Sequence, residues 1–248
     1  VFTNLKRFCR KSCYNVSLKN YLMKNVIITG SSRGIGFELV NLFNKNNYNV
    51  IALSRNASSI SKLNFNNVSA FSTDLSDSRS INKAVKFINN KFSSVDILIN
   101  NAGKLINKPF VETTTQDFIS VYSVNVFGLA ELVRLLLPSF STTSHIINIS
   151  SIGGIAGSSK FSGLSAYSSS KAALNVLTEM LYEEFKTSGP IINTLALGAV
   201  QTEMLEAAFP GYKAPLSSFE MANYIYDFSI KGHKYYNGKI LPVSISNP

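Results

Sequence analysis

The sequence predicts a single α/β domain, in which a doubly wound parallel sheet carries helices on both faces. Short apolar runs rich in β-branched residues alternate with longer stretches of helical periodicity from Val26 onward, which is the pattern of a buried parallel sheet. No linker rich in Pro, Gly and Ser, no internal repeat and no low-complexity tract divides that alternation. The 248 residues are 45% hydrophobic, so the chain can bury one full core.

The strands and helices follow from this alternation in order along the chain. Each predicted strand is a short apolar run bounded by polar or turn residues, and the seven are residues 26–29, 50–53, 69–72, 97–99, 145–149, 191–195 and 239–243. The helices predicted between them are residues 34–44, 80–92, 116–137, 166–185 and 219–230. In the third helix Leu129, Leu132 and Leu136 recur at helical spacing, and Pro138 marks its end.

The composition excludes several kinds of site. Both cysteines, Cys9 and Cys13, lie within residues 1–22, so a disulfide framework, a cysteine zinc site and a cysteine nucleophile are excluded from the rest of the chain. His145 and His233 have no pattern of Cys, Asp or Glu at metal-ligand spacing, and we therefore expect no metal site. No uninterrupted apolar run approaches the roughly 18 residues of a membrane span, so no span is expected either.

The positive charge is unevenly distributed along the chain. Lys and Arg total 24 against 14 Asp and Glu, a formal charge of +10, which on its own favours nucleic acid or an anionic surface as a partner. Residues 1–22 hold five of these cations and no acid, and the remainder lacks a clustered basic stripe interleaved with aromatics. We therefore expect no nucleic-acid partner, and we divide the chain into a flexible basic extension, 1–22, and a folded domain, 23–248.

Residues 1–22 lack the apolar stretch of about 7–15 residues that a secretory signal requires. A segment rich in Lys and Arg and free of acids is also typical of organellar targeting. A solvated tail, or a piece upstream of a natural start at Met23, is the favoured interpretation. The expected location is cytoplasmic, with organellar targeting as the alternative.

A glycine-rich turn directly follows the first predicted strand. Residues 29–36 read Thr-Gly-Ser-Ser-Arg-Gly-Ile-Gly and lead into a helical pattern. One glycine lets the chain turn off the strand, another lets backbone N–H groups approach a pyrophosphate, and the third lets helix and sheet pack closely. The spacing alone would also fit a plain tight turn. Its place between the first strand and first helix of a βαβ unit predicts a dinucleotide-binding site.

The residues after the second predicted strand indicate which dinucleotide binds. NAD-binding domains usually place an Asp or Glu about 20 residues further on, where it accepts hydrogen bonds from the ribose. That acid is missing here; Arg55 follows the strand, and Arg33 lies within the glycine turn. Two guanidinium groups suit the 2′-phosphate of NADP(H), although both would also fit a solvated surface. NADP(H) is therefore predicted in preference to NAD(H).

Polar side chains suited to proton transfer are predicted at the same sheet edge. Ser150 and Ser151 end the strand at residues 145–149, and Tyr167 and Lys171 stand one helical turn apart. A tyrosine that exchanges a proton near neutral pH needs a pKa about 2–3 units below its usual value near 10. A lysine ammonium about 5 Å away supplies about 3 kcal/mol at an effective dielectric of about 20. Lys171 is therefore predicted to lower the pKa of Tyr167, which suits hydride transfer at a carbonyl carbon.

Jointly these motifs resemble the classical short-chain dehydrogenase/reductase family. In order over about 145 residues they are the glycine turn 29–36, Asp74, the run Asn100-Asn101-Ala102-Gly103, Asn125, Ser151 and the pair Tyr167 and Lys171. The resemblance implies a Rossmann-type dinucleotide-binding catalytic domain. It implies that Tyr167 is the proton donor and acceptor, that Ser151 hydrogen-bonds the substrate oxygen, and that Lys171 also holds the nicotinamide ribose.

The resemblance implies further roles for residues around the cofactor. Asn125 would hold a water in a proton relay, Asp74 would contact the adenine amino group, and Asn101 would support the cofactor and the central sheet. The backbone of Val200 and the hydroxyl of Thr202 would contact the nicotinamide carboxamide. With the two arginines included, the predicted cofactor-binding residues are Gly30, Ser32, Arg33, Gly34, Ile35, Gly36, Arg55, Asp74, Leu75, Asn101, Ala102, Gly103, Tyr167, Lys171, Val200 and Thr202.

The chain departs from the family pattern near the predicted substrate cleft. Ser151, chosen over Ser150 because it precedes a small-residue turn as the family's catalytic serine does, lies 16 residues before Tyr167. That gap is longer than usual and predicts a bulging loop. Leu197 replaces the family's proline before Gly198, which predicts a less rigid loop. The region 202–238 is short for a substrate lid, and it predicts a small or open cleft.

These features together predict an NADPH-dependent carbonyl reductase. Its substrate would be a small carbonyl or alcohol compound, with a carrier-bound 3-oxoacyl group among the candidates. The resemblance implies a homodimer or homotetramer formed through the helices at 116–137 and 166–185. The alternative is a non-catalytic dinucleotide-binding regulator or scaffold, which has no need to retain Ser151, Tyr167 and Lys171 together.

Overall fold

Residues 23–245 are described by a computed structural model, so the basic extension 1–22, with both cysteines, lies outside the described residues. All seven predicted strands are found, with ends within a few residues of those expected, except that the fifth begins earlier. They are β1 (Asn25–Thr29), β2 (Asn49–Ser54), β3 (Val68–Ser72), β4 (Val95–Asn100), β5 (Phe140–Ser151), β6 (Ile191–Leu197) and β9 (Ile240–Val243). A short pair, β7 (Val200–Gln201) and β8 (Leu216–Ser217), forms a separate two-stranded sheet that the sequence did not predict.

The seven strands form one parallel sheet in the order β3-β2-β1-β4-β5-β6-β9. The order reverses between β1 and β4, and ligands of open α/β sheets bind at the carboxyl edge beside such a reversal. The helices are α1 (Gly34–Lys45), α2 (Ser58–Ser61), α3 (Ser78–Lys91), α4 (Thr115–Tyr122), α5 (Leu129–Leu136), α6 (Ser165–Phe185), α7 (Glu203–Ala208) and α8 (Ser218–Lys231). The predicted α/β class is confirmed, while the short helices α2 and α7 were not predicted.

The core lies on both faces of the sheet, because successive strand residues point to opposite sides. On one face Val26 and Ile28 pack with the apolar sides of α1 and α8. On the other face Ile27 packs with those of α3, α5 and α6. Two-sided burial explains why the strands read as continuous apolar runs rather than as alternating ones.

The helix predicted at 116–137 is interrupted by one wider turn. Residues Ser123–Gly128 form a π-helical turn between α4 and α5. Gly128 lies so close to the backbone of Leu75 that a Cβ would stand 1.9 Å from that residue's carbonyl oxygen. Such turns often occur at functional sites, and this one carries Asn125 into the interior.

One helical stretch within residues 23–245, Thr115–Ser139, is long and apolar enough for a membrane span by length and composition alone, with a mean hydropathy of 1.5. The sequence criterion, an uninterrupted apolar run, predicts no membrane span here, because polar residues are scattered through this stretch. Leu129, Leu132 and Leu136 are buried in the domain core, as the apolar stripe of a core helix would be.

His145 makes the stability of the fold dependent on pH. Its buried ring bonds the Ser229 carbonyl at 3.0 Å through Nδ1 and Asn193 Nδ2 at 3.1 Å through Nε2, an arrangement that suits a neutral ring. Burial, with a smaller contribution from His233, lowers the pKa of His145 from 6.5 to about 4. The unfolded chain therefore binds the extra proton first, so stability present above pH 6.5 is lost as the pH falls towards 4.

We expect the free energy of unfolding to fall by about 3 kcal/mol between pH 7 and pH 4 through this one group. Urea denaturation across that range measures it. The variant His145→Gln should show a flatter dependence, whereas His233→Gln, at a partly exposed position, should keep most of it. Identical pH slopes for His145→Gln and the wild type would remove His145 as the cause.

Candidate active site

The glycine turn is built by close backbone approaches that other residues would prevent. Gly30 and Gly34 have positive φ angles of 69° and 54°, which L-residues with side chains rarely adopt. A Cβ at Gly36 would lie 2.2 Å from the Gly30 carbonyl oxygen. The turn therefore brings the N-terminus of α1 to the carboxyl edge of the sheet, where free N–H groups and the helix dipole suit a pyrophosphate. This cradle fits the dinucleotide that the sequence predicts, with Ser32, Arg33 and Ile35 lining the same cleft.

The run after β4 ties the glycine turn to the centre of the sheet. Asn101 Nδ2 donates to the carbonyl oxygens of Thr29 and Gly30 at 3.0 and 3.2 Å. The Ala102 N–H donates to Thr29 Oγ1 at 3.0 Å. Asn101 thus holds the shape of the turn, while Ala102 and Gly103 line the cleft.

Cations collect at the end of the cleft beyond the glycine turn. Arg33 and Arg55 are exposed there and line the cleft; no ion pair forms at either within the described chain. The pKa of Asp74 is lowered, chiefly by hydrogen bonds from Ser76, with Arg55 and Lys104 adding to the effect. Leu75 beside it is buried and lines the cleft.

Lys104 is a cation that the sequence reasoning missed. Its charge acts on Asp74 across the cleft, and its backbone is fixed by Asn125, which accepts from the Lys104 N–H at 2.7 Å and donates to its carbonyl at 2.9 Å. The signal that could have identified Lys104 was its position directly after Gly103, in the segment that follows β4. Lys104 therefore joins Arg55 as a cation that acts on Asp74.

Ser151, Tyr167 and Lys171 meet at the same edge because the turn after β5 packs directly on α6. A Cβ at Gly154 would lie 2.7 Å from the backbone carbonyl carbon of Lys171. Lys171 Nζ stands 5.8 Å from the centre of the Tyr167 ring and donates to the Ile149 carbonyl at 2.8 Å. Ser150 Oγ donates to the Lys171 carbonyl at 3.2 Å, which is a structural role, whereas Ser151 lines the cleft.

The pKa of Tyr167 differs from the prediction made from the sequence. Burial raises the pKa of Tyr167 to about 12, although the Ser151 hydroxyl opposes the shift. Burial also lowers the pKa of Lys171 to about 8. The net shift of the Tyr167 pKa is therefore upward, because desolvation of the phenolate outweighs the hydrogen bond from Ser151, whereas the sequence predicts a lowered pKa.

Asn125 is fully engaged by protein groups in this structure. Beyond its two bonds to the Lys104 backbone, its Nδ2 donates to Ser170 Oγ at 2.9 Å, and the side chain is buried. A Cβ added at Gly103 would lie 3.6 Å from Asn125 Oδ1 and 3.7 Å from Lys171 Nζ. Asn125 therefore positions the segment that passes in front of Lys171.

The loop after β6 lies across the glycine turn. Thr202 caps α7 by accepting from the Leu205 N–H at 3.2 Å, and its Cγ2 lies 3.4 Å from the point that a Cβ of Gly34 would occupy. Val200 is buried beside it. The Gly198 N–H donates to the Val243 carbonyl at 2.9 Å, so a bond to β9 holds the start of this loop.

A cleft of about 1200 Å³ runs along the sheet edge from the glycine turn to the loops before α6 and after α7. No group of three or more His, Cys, Asp or Glu side chains within residues 23–245 could hold a metal ion. A dinucleotide cradle and a Ser, Tyr and Lys set on one edge of a doubly wound sheet define a class of proteins, the Rossmann-type oxidoreductases that use a nicotinamide cofactor.

Within that class, the family model for short chain dehydrogenase matches residues 24–213. The chain belongs to the short-chain dehydrogenase/reductase family, as the resemblance of its motifs predicts.

Similar proteins are known both from sequence and from structure. The chain is 37% identical over 130 residues to the probable short-chain type dehydrogenase/reductase VdlC of Helicobacter pylori, an alignment that covers 52% of this chain and 48% of that protein. The chain thus spans about half the length of this curated relative. The structure of ElxO with NADP bound has a TM-score of 0.78, 28% identity and 90% and 98% coverage of this chain and of ElxO.

A 3-ketoacyl-(acyl-carrier-protein) reductase from Brucella melitensis complexed with NADH has a TM-score of 0.80 at 23% identity, covering 89% of this chain and 96% of that one. At this identity the likeness supports the fold. The sheet and its flanking helices are therefore those of known family members.

Proposed function

We propose that the protein is an NADP(H)-dependent oxidoreductase that interconverts a carbonyl compound and its alcohol, acting as a reductase when NADPH is supplied. The observation that carries this proposal is the meeting of Ser151, Tyr167 and Lys171 at the cleft, with Lys171 Nζ fixed by the Ile149 carbonyl. The cofactor, when bound, supplies or accepts the hydride.

The protein's own groups handle the substrate oxygen and its proton. The raised pKa of Tyr167 keeps its phenol neutral at pH 7, which is the form that donates a proton to an oxygen gaining negative charge. Ser151 Oγ donates a second hydrogen bond to that oxygen. Lys171, whose pKa is about 8, is mostly protonated at neutral pH and can return a proton towards Tyr167. The water-holding role of Asn125 remains a proposal, because its side chain already bonds protein groups.

The alternative function, a nucleotide-binding regulator or scaffold without turnover, is less well supported. Such a protein needs the glycine cradle but gains nothing from a buried lysine beside a tyrosine, since burying an ammonium disfavours its charged form. A panel of aldehydes, ketones and an acyl-carrier 3-oxoacyl thioester, followed by NADPH absorbance, tests the proposal. Turnover supports an enzyme, and its absence across the panel favours the regulator.

The preference for NADP(H) rests on Arg33, Arg55 and the absence of an acid after β2. The similar structures contain either NADP or NADH, so they support a nicotinamide cofactor of either kind. Lys104 adds a further positive charge, which acts on Asp74 together with Arg55. Because neither guanidinium group forms an ion pair among the described residues, a phosphate can bind them without breaking one.

Replacing Arg55 or Arg33 with Ala is expected to raise the KM for NADPH at least tenfold while changing that for NADH little, because a charge-assisted contact to the phosphate contributes about 1.5–3 kcal/mol. Initial rates with both cofactors measure this. The control is Arg134→Ala, an exposed arginine that pairs with Glu131 outside the cleft. Equal losses for NADPH and NADH would show that the arginines do not read the 2′-phosphate.

We also propose a homodimer or homotetramer. Exposed apolar side chains lie on the two helical segments expected to form its interface: Phe127 on the first, Val176 and Met180 on the second. Apolar patches of this kind mark association surfaces.

A further inference from the structure

The two ends of the cleft differ in charge. The cofactor end contains Arg33, Arg55 and Lys104 together with Asp74 and Glu203. Beyond Ser151 and Tyr167, the other end is lined by side chains that carry no charge at neutral pH, among them Leu105, Ile119, Phe161, Met204, Phe209 and Tyr212. A substrate held there would meet mainly apolar and aromatic surface, with uncharged polar groups such as Asn107, Gln116 and Ser120 among it.

Three chain segments enclose this uncharged end and are bonded to one another. The Lys108 N–H donates to the Gly163 carbonyl at 2.9 Å, which joins the segment after β4 to the bulging loop before α6. Asn107 Nδ2 donates to the Ala208 carbonyl at 2.7 Å, which joins the same segment to the end of α7. The walls of this end are therefore connected to one another by the protein's own hydrogen bonds.

Of the lysines near these walls, Lys108 and Lys160 are already engaged, and Lys213 is exposed and does not line the cleft. Lys108 pairs with Asp117 at 3.2 Å. Lys160 donates to the Ile155 carbonyl at 2.6 Å and to Ser158 Oγ at 2.7 Å. A carboxylate or phosphate inside this end of the cleft would lose its hydration without gaining a cation, which is unfavourable.

Large apolar side chains in this end remain exposed. Phe161 is 53% exposed, Tyr212 48% and Ile119 47%, and each comes from a different segment of the wall. Apolar surface gathered in a concave site is typical of a binding pocket for an apolar ligand. The extra residues between Ser151 and Tyr167 therefore have an effect, because the loop they form carries Phe161.

We propose that the substrate is an uncharged carbonyl compound with an extended hydrocarbon portion, bound with its oxygen at Ser151 and Tyr167 and its hydrocarbon between Phe161 and Tyr212. This rests on the proposed reductase function. Substrates that carry a carboxylate or phosphate near the hydrocarbon end are disfavoured because the uncharged walls do not replace the lost hydration, and small sugars leave the apolar surface uncovered.

A series of straight-chain aldehydes from butanal to decanal, compared with the same chains ending in a carboxylate, tests the proposal with NADPH as cosubstrate. We expect kcat/KM to rise about fourfold with each added methylene until the pocket is filled, as full burial of a methylene predicts. The carboxylate-ended chains should be at least tenfold poorer than the matching aldehydes.

Matched aromatic variants show whether these walls cause the preference. Phe161→Ala and Tyr212→Ala should flatten the dependence on chain length, while butanal changes little. Phe219→Ala and Tyr235→Ala remove aromatic side chains of similar or greater exposure, 54% and 77%, outside the cleft, and should leave the slope as in the wild type.

The outcomes separate this proposal from the reductase proposal. Turnover that is independent of chain length, or better with the carboxylates, overturns the apolar substrate and leaves the reductase intact. If no aldehyde is reduced, the reductase proposal fails, and calorimetric titration of the protein with the corresponding alcohols still decides the apolar pocket. Affinity that rises with chain length supports the pocket, and uniform affinity overturns it.

Discussion

Replacing Tyr167 with Phe is expected to lower kcat by two to four orders of magnitude while NADPH binds as tightly as to the wild type. General acid catalysis by a positioned side chain contributes about 10²–10⁴ in rate, and the substitution removes only the phenolic oxygen. The ring keeps its place beside Lys171, since the contact at 5.8 Å is to the ring. Steady-state kinetics and an NADPH fluorescence titration measure the two effects separately.

Tyr235→Phe is the matched control, because it removes the hydroxyl of an exposed tyrosine outside the cleft. We expect its kcat to stay within about twofold of the wild type, since a side chain without a role in proton transfer contributes nothing of that size. A kcat for Tyr167→Phe within tenfold of the wild type would mean that another group donates the proton.

Replacing Gly36 with Ala is expected to abolish measurable NADPH binding and to destabilise the fold by about 1–3 kcal/mol or more. The new Cβ would lie 2.2 Å from the Gly30 carbonyl oxygen and 2.6 Å from Asn101 Nδ2. The Gly30 oxygen belongs to the backbone of the turn, and Asn101 Nδ2 is held by the carbonyls of Thr29 and Gly30, so the turn must open. Opening it breaks the bonds from Asn101 that hold the cradle. Fluorescence titration with NADPH and urea denaturation measure the two losses.

Gly157→Ala separates this clash from the general effect of adding a methyl group to a glycine. Gly157 has a φ of 79° and no atom within 4 Å of the new Cβ, so only backbone strain of about 1–2 kcal/mol is expected. NADPH should bind to this variant as to the wild type. Normal NADPH affinity in Gly36→Ala would contradict the assignment of the pyrophosphate to the glycine turn.

Sequence reasoning found the elements whose signals are local. Strands buried on both faces read as apolar runs, and helix α6 reads as a periodic stretch, so both were found with nearly correct ends. The π-helical turn at Ser123–Gly128 was not found, because its cause is the approach of Gly128 to the backbone of Leu75, over 50 residues away in the chain. Helix α7 is only six residues long, too short for periodicity to show.

The sites show the same division. The spacing of Tyr167 and Lys171 follows from helical geometry, and the structure places both at the cleft with Ser151. Lys104 was missed because its effect is on the pKa of Asp74. Asp74 follows β3, whereas Lys104 follows β4, so only the folded chain brings the two together. From the sequence, His145 was considered only as a metal ligand, and its lowered pKa comes from its burial beside Ser229 of α8.

The sequence by itself determined the parallel α/β fold, the family, and the order of the chemical groups along the chain. These depend on periodicity and on short motifs, which neighbouring residues specify. Only the tertiary structure decided the direction of the Tyr167 pKa, the engagement of Asn125 with Lys104, and the uncharged walls around Phe161 and Tyr212. Each of these depends on desolvation and on contacts between distant segments, and such free energies exist only once the chain has folded.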